Sequence, residues 1–155
     1  MAKKATPQDG LLMLQLYDLR REAEMRKARN WWLVDFWPQD ADDFMKVINA
    51  FASQENNWFR QVAGYWDMAA SLVLQGSLHE DLFLQPGCSG EMFFFFAKVQ
   101  PFLKELRQKM NNPDAWSNIE KVATGSKLAR KRLGRVSATV ETRRKQMAKA
   151  AKKGT

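Results

Sequence analysis

Phe93, Phe94, Phe95 and Phe96 follow one another without interruption, and this run limits the fold more than any other feature of the chain. Consecutive residues of a helix point about 100° apart, so four adjacent rings cannot share one face. Val99, Phe102, Leu103 and Leu106 continue the run at helical spacing, which predicts a helix over about 89–110 with Pro101 as a kink. Such a helix is either buried on several sides, as the central member of a bundle, or it lends part of its circumference to a second subunit. The second alternative makes the helix of residues 93–96 a candidate homodimer surface.

The flanking sequence is helical in pattern as well. Thr6 and Pro7 supply a capping hydroxyl and a first-turn proline, and Leu12, Leu16, Leu19 and Ala23 step by four, three and four. The first helix is expected to pass through a mixed-charge stretch at 20–29 and the apolar cluster Trp31, Trp32, Leu33, Val34, Phe36 and Trp37, where Pro38 stops it. Asp40 is expected to cap a second helix that buries Phe44, Val47, Ile48 and Phe51 and ends near Ser53. A third, from about 57 to 75, carries Trp58, Val62, Tyr65, Ala69 and Leu72 on one face and stops at Gly76. Ser77-Leu78-His79-Glu80 has the form of a capping box for a short helix, and Pro86 to Gly90 reads as a turn. Asn112 and Pro113 open a last core helix with Trp116, Ile119 and Val122, and Gly125 marks a boundary. The expected fold is all-α: a compact bundle of five to six helices over 1–125, followed by a basic tail over 126–155 that is helical when bound and frayed when free.

With 155 residues, 45% of them apolar, six Trp and ten Phe, the chain has core material for one domain. Its polar opening lacks the apolar segment of a secretory signal, and its longest apolar runs fall well short of the roughly 18 residues of a membrane span. Cys88 is the only cysteine, which excludes an internal disulfide and favours a reducing, cytoplasmic setting.

The net charge of +8 is unevenly distributed. Residues 1–125 hold 14 Lys and Arg against 16 Asp and Glu, a net of −2, whereas 126–155 hold 11 cations against Glu141 alone, a net of +10. Those cations are Lys127, Arg130, Lys131, Arg132, Arg135, Arg143, Arg144, Lys145, Lys149, Lys152 and Lys153. A concentrated positive potential attracts nucleic acid through phosphate contacts and counterion release, or anionic membrane, or serves solubility alone. Membrane ranks last, because this segment lacks Trp, Phe and a continuous apolar face.

Nothing assembles a catalytic constellation. His79 is the sole histidine, so neither a Ser-His-Asp triad nor a paired Glu-x-x-His diiron site can be built around others, and no metal or cofactor is expected. The turn at 86–90 lacks the Lys-Ser/Thr ending of a phosphate loop, and Cys88 within it reads as an inert loop cysteine. Arg60, Asp67 and Glu91 sit in or beside aromatic helices and form a candidate polar pocket, against the blander reading of a structural ion-pair network. Arg26-Lys27-Ala28-Arg29-Asn30-Trp31-Trp32 juxtaposes cations and rings as a single-strand platform would, but its aromatic spacing fits core packing better.

Tyr17-Asp18-Leu19-Arg20-Arg21, Asn57-x-Phe59-Arg60-x-Val62, Tyr65-Trp66-Asp67-Met68-Ala69-Ala70, Gly90-Glu91-Met92 and Lys98-x-x-Pro101-Phe102 together resemble a group of uncharacterised bacterial helical proteins of the domain-of-unknown-function type. The resemblance spans about residues 14–122. It implies a helical bacterial protein, singles out Arg60, Trp66, Asp67 and Glu91 for inspection, and carries no chemistry over. Three functions rank in this order: a non-catalytic module whose tail binds nucleic acid non-specifically; a self-associating adaptor with a solubilising tail; and a small-molecule sensor at the polar pocket.

Overall fold

A reciprocal cap starts the first helix: Thr6 Oγ1 accepts from the Asp9 amide at 3.3 Å while the Thr6 amide donates to Asp9 Oδ2 at 2.7 Å. This computed structural model describes residues 3–154. Helix α1 runs Pro7–Arg20 and does not continue to Trp37. The chain turns at Arg21, and the Glu22 carboxylate accepts from the amides of Glu24 and Met25 at 3.1 and 2.9 Å, capping a separate helix α2, Ala23–Asn30. A long helix was the wrong expectation here because a carboxylate competed successfully for free amides in the mixed-charge stretch. From Trp31 to Asp35 the helix widens into a π turn, with the Phe36 amide donating to Trp31 O at 2.9 Å, and the backbone is extended at Phe36 before Pro38.

Asp40 caps α3, Ala41–Asn49, as its sequence indicates. Ser53 caps α4, Gln54–Leu74, which closes at Gly76 in a left-handed conformation (φ 74°) that glycine adopts without strain. Ser77 does not cap the next helix: the Ser77 and Leu78 amides both donate to Leu72 O and so finish α4. Helix α5, Glu80–Phe83, instead begins after His79, whose amide donates to Asp9 Oδ1 at 2.8 Å. Pro86 to Gly90, expected as a turn, is the first turn of α6, Pro86–Val99, because proline suits that position. Pro101 produces the expected interruption, a 3-10 turn over Gln100–Phe102 ahead of α7, Leu103–Lys109. Helix α8, Ser117–Gly125, starts later than Asn112, after Trp116 in a left-handed conformation (φ 55°).

The fold is all-α, and α6 lies at its centre against α9, α8 and α5, with α4 packed on α2, α3 and α8. Phe93, Phe95 and Phe96 are buried and Phe94 is half-buried against Trp37, their ring centroids 5.9 Å apart. All four rings thus pack within one chain, as the central member of a bundle would place them. Trp32 anchors the aromatic cluster, with ring centroids 4.8 Å from Phe95, 5.7 Å from Phe36 and 5.8 Å from Phe59.

Residues beyond Gly125 form α9, Lys127–Lys153, capped by Ser126 Oγ accepting from the Ala129 amide at 3.1 Å. The expectation of a frayed tail fails because most of the sparse apolar residues fall on one side: Ala129, Leu133 and Val140 are buried, Val136 and Met147 are half-buried, Leu128 faces out, and the helix lies along α6 and α8. A chain ending at Gly125 is therefore expected to lose its cooperative thermal transition and near-UV circular dichroism, because α6 loses its cover; retention of both would show that α9 contributes nothing to the core.

Candidate functional site

The cations of α9 divide by exposure. Lys127, Arg130, Lys131, Arg135, Arg143, Lys145, Lys149, Lys152 and Lys153 are exposed, Arg132 is half-buried and Arg144 is buried. Helical periodicity places Lys127, Lys131, Arg135, Lys145 and Lys149 along one stripe opposite the buried Ala129, Leu133 and Val140. Several of the cations have local partners, among them Arg130, whose Nη1 donates to Thr124 O at 2.8 Å, Lys145, 3.9 Å from Glu141, Arg143, which donates to Gln146 at 3.5 Å, and Arg144, whose Nη1 donates to Glu141 Oε2 at 2.7 Å.

Arg144 does not belong to the solvent-facing set. Its Nη2 donates at 3.0 Å to Lys98 O in the last turn of α6, and its guanidinium lies 5.1 Å from the Phe102 ring centroid. One cation of the basic helix thus docks that helix onto the core. Sequence counting grouped Arg144 with its neighbours because charge reveals nothing about which side of a helix is covered.

Lys98, which the Arg144 contact adjoins, is fully buried. Its Nζ donates to Trp32 O at 2.6 Å and to Phe36 O, and lies 4.1 to 5.7 Å from the ring centroids of Trp37, Trp32, Phe94 and Phe36. The π turn makes this contact available, because the Phe36 amide closes on Trp31 O and leaves Trp32 O to the lysine. Desolvation pushes the Lys98 ammonium down to about 6, and the nearby Arg144 charge adds to the effect. A neutral amine still has two N–H groups, one for each carbonyl, so the geometry is satisfied without a counter-ion. Sequence reasoning missed this role, although one cation within Phe-Phe-Phe-Phe-Ala-Lys-Val was a visible irregularity.

The candidate polar pocket separates into three places. Arg60 lies on α4 with its guanidinium 5.7 Å from the Phe51 ring centroid, and it lines an open cavity of about 700 Å³ together with Glu24, Gln54 and Asn57. Asp67, also on α4, accepts from Asn118 Nδ2 at 2.9 Å and the Ile119 amide at 3.4 Å, tying α4 to the start of α8. Glu91, on α6, accepts from Arg29 Nη2 and Nε at 2.5 and 2.8 Å, with Arg20 Nη2 at 3.4 Å. Two helical turns separate Arg60 from Asp67 on one helix, but their partners belong to different neighbours. Trp66 is buried beside Arg20, 5.4 Å from ring centroid to guanidinium carbon.

His79 caps α5 through its backbone, and its Nε2 pairs with Lys3 O. Cys88 is a half-buried free thiol in the first turn of α6. Among the described residues no group of three or more His, Cys, Asp or Glu is placed to hold a metal ion, and no helix is long and apolar enough to cross a membrane.

The family model of a domain of unknown function, DUF4760, matches residues 5–126. The chain belongs to the DUF4760 family. No curated protein and no solved structure matches it. The DUF4760 segment contains Lys98, Glu91 and both arginines that face Glu91, and it stops at Ser126, the cap of α9. The basic stripe and Arg144 lie beyond it.

The lowered Lys98 value has a definite consequence for pH. Between about 6 and the ordinary lysine value of 10.5 the unfolded chain binds one more proton than the folded one, so stability rises with pH through that interval and levels off below it. Urea unfolding from about pH 6 to 9 is expected to show a rise of up to about 1.4 kcal/mol per pH unit that Lys98→Met removes. Parallel pH curves for the two proteins would mean that Lys98 remains charged in the fold.

Proposed function

We propose that this protein is a non-catalytic helical binding module that holds nucleic acid through the solvent face of α9, by phosphate contacts and without sequence preference. The observation that carries this reading is the stripe Lys127, Lys131, Arg135, Lys145 and Lys149 on a helix whose opposite side is fastened to the core. From Lys127 to Lys149 the stripe extends for about 33 Å at 1.5 Å per residue, comparable to one turn of a DNA duplex. A rigid array of that length neutralises several phosphates at once, releasing counterions and giving salt-sensitive affinity. The remainder of the chain, net −2, does not extend the positive field, so contact is directed to α9.

Anchoring also determines the form of the test, because truncation would damage the bundle along with the stripe. The full chain is compared with a variant carrying Lys127→Gln, Lys131→Gln, Arg135→Gln and Lys149→Gln, which leaves Ala129, Leu133, Val140 and Arg144 in place. Fluorescence anisotropy with labelled duplex DNA and single-stranded RNA, read across salt concentration, is expected to show steep salt dependence for the natural chain. The slope of log affinity against log salt should fall by roughly 0.9 for each duplex phosphate contact removed. Equal binding by both proteins would refute the reading and assign α9 to solubility.

A further inference from the structure

Helix α1 carries a group of large exposed apolar side chains: Leu11 is 61% exposed, Leu14 67%, and Tyr17 is also exposed. They are not isolated on a convex face. Leu11, Met13, Leu14 and Tyr17 form one wall of a cleft of about 660 Å³, Leu82 of α5 lies on another side, and Arg20 also lines it. The lining runs from Pro7 to Arg20, about 20 Å along the helix. Single exposed leucines are ordinary, whereas a continuous apolar groove of this size is the usual form of a ligand site.

Arg20 supplies the second observation. It is only 8% exposed and its Nε has no hydrogen-bond partner. Glu91 is its ion-pair partner, but Arg29 holds both Glu91 oxygens at 2.5 and 2.8 Å, leaving Arg20 a single contact at 3.4 Å. Two guanidinium groups, one buried and one half-buried, share the half-buried Glu91 carboxylate, which balances only one of the two charges. The Tyr17 and Trp66 rings, with centroids 5.5 and 5.4 Å from the Arg20 guanidinium carbon, compensate the other only in part. An anion entering the cleft would give Arg20 a charge partner of its own.

We propose that the cleft binds a long-chain monocarboxylate, a fatty acid whose carboxylate pairs with Arg20 while its alkyl chain lies along Leu14, Leu11, Met13 and Leu82 toward Pro7. The apolar wall selects the chain and the one unbalanced charge selects the headgroup, so a neutral amphiphile satisfies only half of the site. This assignment is independent of the nucleic-acid reading, which concerns α9.

Cys88 gives a native reporter, since it is the only cysteine in the chain and lines the same cleft. The full chain is titrated with monomeric dodecanoate, with dodecanol and acetate as controls, following heat release and the rate of Cys88 alkylation by N-ethylmaleimide. Dodecanoate is expected to bind and slow alkylation, dodecanol to bind at least about tenfold more weakly for want of the charged pair, and acetate to do neither. Leu14→Glu, at an exposed position, should abolish dodecanoate binding while preserving the circular dichroism spectrum. Arg20→Met should remove the preference for the acid over the alcohol; where that variant does not fold, Leu14→Glu and the acid–alcohol comparison decide. The proposal is overturned by absence of dodecanoate binding, by equal binding of dodecanol, or by binding that Leu14→Glu leaves intact. A dimer in sedimentation that Leu14→Glu dissociates, without dodecanoate binding, would instead give the cleft to a second copy. Cosedimentation with phosphatidylglycerol vesicles in the absence of dodecanoate binding would give it to a membrane surface.

Discussion

The contact between Lys98 and the carbonyls of Trp32 and Phe36 joins the parts of this bundle that sequence distance keeps apart. A lysine at the centre of a helix bundle is costly to desolvate, and the cost is offset only where acceptors and ring faces converge on its nitrogen. Convergence requires the π turn at Trp31–Asp35, which redirects one carbonyl, and the extended backbone at Phe36, which presents another. It also requires the aromatic wall of Trp32, Trp37 and Phe94 to close around the amine. The relation of α6 to the segment after α2 is therefore specified by hydrogen bonds with direction, whereas apolar packing by itself tolerates sliding.

The same residue determines where α9 sits. Arg144 donates to the backbone carbonyl of Lys98, so the basic helix is held at the turn of α6 where the lysine is held from the other side. A helix with eleven cations and one carboxylate repels itself, and Ala129, Leu133 and Val140 provide few apolar contacts for its length. Arg144 adds a directional contact near its distal half. The outward cations are consequently displayed from a fixed axis, which is the physical requirement for several of them to meet phosphates in one geometry.

Two buried basic side chains are accommodated in different ways. Lys98 has carbonyl acceptors for its N–H groups and aromatic faces around them, so its site is closed. Arg20 shares Glu91 with Arg29, keeps a shielded Nε without a partner, and lines the cleft beside the apolar face of α1. That difference separates a lysine enclosed by the core from an arginine at the edge of a cleft. Glu91 was one of the four residues that the sequence pattern singled out, with Arg60, Trp66 and Asp67, but its role becomes intelligible only through the two arginines that compete for it.

Helical class, the central place of the helix holding residues 93–96, the caps at Thr6 and Asp40, the interruption at Pro101 and the concentration of charge beyond Gly125 follow from local rules of spacing, capping and charge, and were legible in the sequence. The division of the first helix at Glu22, the helical start at Pro86 and the failure of Ser77 as a cap were not, because each depends on which of two adequate partners an amide finally meets. Asp67 and Glu91 were recognisable as unusual, but periodicity places side chains on one helix only and says nothing about the helix opposite. Arg144 and Lys98 illustrate the limit most clearly. Composition records both as cations, and only tertiary packing separates a cation facing water from one facing a carbonyl, since burial is a property of the surface laid over a residue and not of the residue itself.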